Sequence, residues 1–188
     1  MTCRLSGFIA VLLLYLLFIP SCLLAADLAE EQNIPVSKRY DEAKFYYNQL
    51  QTNAALSASR SNWLKGTRNF RRIYLASPTS EQAPACLFML GRVYAEMYGR
   101  FKNGIDLEES ISYYKDCARL FPQHRLADDC YFTLGQIFYE KKNSPKKAAD
   151  FLNEVISKYP NGDMRPAAEN LLKLLSKDHA IPLPQSMV

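Results

Sequence analysis

With 188 residues the chain has room for one ordinary domain or a short array of repeats. Its 48% hydrophobic and 12% aromatic residues, with only seven Gly and ten Pro, exclude a low-complexity or disordered polymer. The formal charge of +4 arises from 23 basic and 19 acidic residues interspersed along the sequence, which excludes the basic stripe of a nucleic-acid binder and predicts no nucleic-acid partner.

In chain order, MTCRLSG carries one Arg and precedes the apolar run FIAVLLLYLLFI at residues 8–19. The run is shorter than the ~20 apolar residues of a membrane span and suits the core of an export signal, expected over residues 1–26. Its end is open to two processing routes. IPSC at 19–22 resembles a lipoprotein box that would lipidate Cys22 and tether the N-terminus to a membrane, while Ala25 and Ala26 close ordinary cleavage sites. An uncleaved anchor is the third alternative. Residues 27–36 read as a linker and 178–188, with Pro182 and Pro184, as a disordered tail.

Between them strand signals are weak and helical spacing is clear. Residues 37–55 and 61–77 form a first, divergent pair of helices, with Trp63, Phe70 and Tyr74 along one stripe and Lys65, Arg68, Arg71 and Arg72 opposite. That basic set reads as a solvated face, with an anionic polymer or lipid headgroup as its alternative ligand. Then the chain repeats itself. LFMLGRVYAE at 87–96 returns forty-four residues later as YFTLGQIFYE at 131–140, so that Leu90-Gly91 matches Leu134-Gly135, Tyr94 matches Phe138, and Cys86 matches Cys130. Leu90, Leu134, Tyr94 and Phe138 are expected in the core. A Gly inside a helix costs about 1 kcal/mol relative to Ala, so two at equivalent places predict close helix approach.

Second helices end at Pro78, Pro122 and Pro160, which cannot continue them. Ser110 and Ala148 keep register there as small residues, and Tyr114 and Leu152 as large ones. The turn inside the pair is expected to be long in MYGRFKNGIDLE and short in KKNSPKK, with Asp106 and Ser144 as N-caps. Residues 165–177 make one closing helix. Three pairs and a cap, about seven helices over 37–177, give an all-α repeat domain.

Candidate chemistry is sparse. His124 and His179 are the only His, and no ligand cluster, phosphate loop, dinucleotide turn, nucleophile elbow or CxxC is present. No catalytic residue, metal or cofactor is therefore expected. Asp128-Asp129 and Glu108-Glu109 read as solvated helix starts, and Lys141, Lys142, Lys146 and Lys147 as a solvated turn. Cys86, Cys117 and Cys130 read as small buried hydrophobes, a Cys117 to Cys130 bridge being the alternative.

Leu-Gly, an aromatic one turn on, a small residue early in the second helix and Pro at its end resemble the tetratricopeptide repeat. Gly66 and Ser110 depart from it where Ala is usual, and segment 91–110 is longer. The resemblance implies antiparallel helix pairs in a right-handed solenoid whose concave surface grips peptides. Phe88, Arg92 and Glu96 of one unit and Phe132, Gln136 and Tyr139 of the next are the implied partner-binding residues. The runs RSNWLKGTRNFRRIYLASP, RLADDCYFTLGQIF and KYPNGDM are similar to the repeat region ahead of the catalytic domain of exported N-acetylmuramoyl-L-alanine amidases, and less closely to periplasmic repeat lipoproteins. That likeness implies a scaffold in the bacterial envelope, periplasmic or outer-membrane-associated, with envelope proteins or peptidoglycan as partners; the amidase domain itself is not in this sequence.

Overall fold

A computed structural model of the chain describes residues 34–187. The expected signal peptide, its cleavage sites, Cys22 and residues 27–33 lie outside the described residues, as does Val188. The chain divides into two units, Met1–Arg39 and Tyr40–Val188. Of the first, residues 34–39 are described and enter the opening turn of a helix. All that follows concerns the second.

The described residues form eight α-helices and no strand: α1 Val36–Thr52, α2 Ala54–Ser57, α3 Arg60–Ala76, α4 Ala83–Phe101, α5 Gly104–Leu120, α6 Leu126–Glu140, α7 Pro145–Lys158 and α8 Arg165–His179. A 3-10 turn, Gln185–Met187, follows. The helix beyond the expected seven is the single turn α2. Asn53 caps it by accepting from the Leu56 amide at 3.1 Å, and the buried Trp63 indole donates to the Ser57 carbonyl at 2.9 Å. From α3 onward each helix packs on the next, and the first helices of successive pairs also touch, α4 with α6 and α6 with α8.

Both repeat glycines do what their spacing predicts. A Cβ on Gly91 would meet the Tyr114 ring at 3.0 Å, and one on Gly135 would meet Leu152 Cδ2 at 2.7 Å. Gly66 lies similarly under Leu50, at 3.2 Å. A large residue of one helix thus rests on bare backbone of its partner. Ser110 adds a buried hydrogen bond to the Gly91 carbonyl at 2.8 Å, which a methyl group in its place would leave unmade.

Successive pairs are joined by a second recurring device. Tyr94 stacks on Tyr113 at 5.7 Å, and Arg71 of the preceding helix donates to both hydroxyls at 3.0 Å. Phe138 stacks on Phe151 at 5.2 Å, and Lys115 lies 5.9 and 5.8 Å from the two ring centres. Arg71 stands to Pro78 as Lys115 stands to Pro122, so the cation is part of the repeat. Where the rings carry hydroxyls the forked donor is used; where they do not, a point charge sits over π faces.

Two local expectations are corrected, and a third, Ser144 as N-cap, holds in position. The turn within the middle pair is the short one: α4 runs on to Phe101 and α5 starts at Gly104, leaving Lys102 and Asn103 between them. Lys102 takes a left-handed φ of 54°, which ends α4, and the added residues lengthen both helices instead of a loop. Because α5 starts early, Asn103 is its cap, accepting from Ile105 at 3.0 Å. Asp106 falls inside the helix, fully buried, with Oδ1 at 2.6 Å from Arg60. Ser144 occupies the N-cap position of α7, with Pro145 following, but its side chain makes no capping bond.

Tyr94 and Phe138 are 6% and 7% exposed, so truncation of either to Ala should cost about 3–5 kcal/mol in urea unfolding. A loss under about 1 kcal/mol would place them outside the core. Glycine substitutions separate packing from propensity. Gly99→Ala, with nothing within 4 Å, should gain up to about 1 kcal/mol, and Gly91→Ala, against a rigid ring, should lose about 1–3 kcal/mol.

Candidate functional site

The first helices α4 and α6 lie side by side and carry the six residues singled out from sequence. Phe88 is half-buried, its ring edge-on to Tyr114 at 5.5 Å, and so is committed in part to its own pair. Arg92 is exposed, with its guanidinium 5.4 Å above the ring of Tyr47 in α1. Glu96, one turn on, is half-buried. In α6, Phe132, Gln136 and Tyr139 are all half-buried. Tyr139 sets its ring edge-on to His179 of α8 at 6.1 Å. Arg92 and Tyr139 each reach across to a neighbouring first helix.

Two residues that border this surface are not indicated by the sequence as part of it. Tyr47 belongs to the buried stripe Ala43, Tyr47, Leu50 of α1, whose spacing was the available signal. Its hydroxyl is raised above the ordinary tyrosine range by burial, against the lowering influence of Arg92. His179 falls in the expected tail, but α8 extends to it. Tyr114, beneath Gly91, is likewise raised by burial and serves as core.

The basic set of α3 is not a single solvated face. Arg71 is half-buried and spent on Tyr94 and Tyr113, because its position is the repeat's cation; Lys65 covers the Tyr46 ring at 4.9 Å. The side chains of Arg68 and Arg72 are exposed. The lysine turn is similarly divided, since Lys147 lies 5.8 Å from the Phe138 ring centre and Lys142 pairs with Glu108.

Asp128 is also misread as solvated. It is 4% exposed, and its carboxylate accepts from the amides of Asp129 at 3.1 Å and Met164 at 3.4 Å, capping the turn that leads into α8. A Cβ at Gly162 would lie 2.3 Å from Asp128 Oδ2, so this turn fits around the carboxylate only with glycine. Asp129 and Asp163 bring their carboxylates within 4.8 Å of it and of each other. Burial, then the charges of Asp128 and Asp163, hold Asp129 above the usual carboxylate range. An open cleft of about 620 Å3 lies between this turn and the preceding one, lined in part by His124, Arg125, Lys158 and Tyr159. His124 Nδ1 accepts from the Leu126 amide at 3.2 Å, and burial followed by Arg125 lowers its pKa.

The pair α6 and α7, with Gly135 under Leu152 and Pro160 at its close, is the segment in which every element of the repeat falls in place. The tetratricopeptide repeat family model matches residues 129–162. The match takes in most of α6, all of α7 and the turn after it; it supports a tetratricopeptide-like protein, and a repeat of this kind suggests a protein interaction scaffold. Such repeats are interaction modules, typically without catalysis. The same pairing and the same glycine contact recur in α4 and α5, beyond the matched residues. No curated protein matches the chain.

Asp128→Ala should cost about 1–2 kcal/mol by leaving the Met164 and Asp129 amides without their acceptor. Asp129→Asn should act in the other sense. A carboxyl whose folded pKa is raised favours folding at low pH and opposes it once ionised, so the variant should show a higher urea midpoint than wild type at pH 7, with the gain vanishing as pH falls through the carboxylate range.

Proposed function

We propose that the chain is a non-catalytic scaffold of the bacterial cell envelope that holds an extended segment of a partner protein along its first helices. Phe88, Arg92, Glu96, Phe132, Gln136 and Tyr139 form the contact surface, with Tyr47 and His179 beside it. What supports the reading is the contact of α4 with α6 and of α6 with α8, with Phe88 matched by Phe132 and Arg92 by Gln136 across the repeat, together with the family match over one pair. Arg and aromatic residues set in partly desolvated surfaces are the types that dominate binding energy. The half-burial of Phe132 and Tyr139 limits the side-chain entropy that a partner would have to freeze.

Envelope placement is supported by the run at residues 8–19 and by the likeness to exported repeat proteins. The same likeness supports association with a peptidoglycan amidase as the alternative task for this surface. Analysis of the mature N-terminus in envelope fractions tests the placement. It should begin at a lipidated Cys22 or close to Ala25 or Ala26, and a chain still beginning at Met1 would defeat the proposal of a cleaved leader.

Partner capture from envelope extract should fall roughly thirtyfold for the double variant Phe132→Ala, Arg92→Ala, the equivalent of about 2 kcal/mol, after circular dichroism has shown wild-type helicity. Capture unchanged by the double variant but abolished by Arg68→Glu with Arg72→Glu would move the site to the basic face of α3. Arg71 is left untouched in this comparison because it holds Tyr94 and Tyr113.

A further inference from the structure

Three joints connect successive units, and the same two core positions recur at each. Ile73, Cys117 and Val155 stand alike relative to Pro78, Pro122 and Pro160, and Cys86, Cys130 and Ala168 stand alike beyond them. All six are buried, none more than 4% exposed. Two joints set a branched aliphatic residue with a small one. The middle joint alone has cysteine at both positions, on α5 and α6, which pack together.

We infer that Cys117 and Cys130 are a disulfide pair that staples the α5–α6 joint when the chain folds in an oxidising compartment. The Cys117 side chain, then burial, pushes the Cys130 thiol far above its ordinary range. Cys117 also donates to the Pro84 carbonyl at 3.4 Å, which fixes its direction in the core. Both cysteines are reduced thiols in this structure. Thiols so sealed are inert once folding is complete, so the bond forms earlier, while the joint is open.

The chemistry is ordinary exchange with a small disulfide. The thiolate of one cysteine attacks the small disulfide and expels one thiolate from it; the thiolate of the other then attacks the mixed disulfide and expels the second. Two protein thiols are oxidised to one S–S bond, one small disulfide is reduced to two thiols, and the protons pass from the cysteines to the released thiolates. The export proposed above would supply the oxidising surroundings, and the pairing is testable without it.

The test uses the full chain, denatured and reduced, then refolded in a mixture of reduced and oxidised glutathione, alkylated, and digested with trypsin without reduction. The expected product is peptide 116–119 joined to peptide 126–141, two hydrogens lighter than the reduced pair, with the Cys86 peptide alkylated. The oxidised protein should also show a urea midpoint about 1 M above the reduced one, as closure of a short loop implies. That difference should vanish in Cys117→Ala and persist in Cys86→Ala. Alkylation of both Cys117 and Cys130 after refolding, a mixed disulfide with glutathione on either, or linkage of either to Cys3, Cys22 or Cys86 would overturn the inference.

Discussion

A large side chain laid on bare backbone sets the geometry of every pair. A Cβ at Gly91 would stand 3.0 Å from the Tyr114 ring and one at Gly135 2.7 Å from Leu152 Cδ2, so each pair closes up on the missing side chain. The close approach fixes which faces look inward, and from that the first helices fall next to one another. Each glycine costs helix propensity locally and is offset by contact across the pair. A single helix could not recover that cost, which is why such a unit exists only as a stacked array.

Between pairs the holding force is of another kind. Arg71 and Lys115 reach from one second helix onto aromatic pairs built by the next unit, so each joint mixes dispersion with a cation held at a ring face or hydroxyl. This explains why formal charge along α3 is a poor guide to its surface. Charges that look free in one dimension are assigned to neighbours in three.

Much of this was legible before any coordinates. Glycine, proline and aromatic residues recur at fixed intervals, and each is interpretable by itself: a missing side chain, a forced stop, a bulky core residue. The family-implied surface residues also fall on helices that touch. Single helix ends were harder. MYGRFKNGIDLE contains Gly99, Asn103 and Gly104, ordinary loop signals, yet a left-handed Lys102 compresses the turn into two residues and turns the rest into helix. Asp128 and Arg71 were misplaced for a shared reason: a charged residue on a short segment reads as solvated unless its partner, far along the chain, is known. Tyr94 and Met164 are such partners, and no local pattern announces them.

The third joint lacks the device that secures the other two. Asn153 and Ser176 take the places held by Arg71 with Tyr94 and by Lys115 with Phe138, and the Asn153 side-chain oxygen is buried without a hydrogen-bond partner. In a linear array stability is a sum over neighbouring interfaces, so α8 is held by the weakest of them. Amide protection should therefore decline toward the carboxyl end, and α8 should open separately while α4 to α7 remain folded. Because Tyr139 rests against His179, the end of the proposed contact row closest to α8 would then be ordered only when that last helix is docked, which would make engagement of the proposed partner and local folding there a single equilibrium.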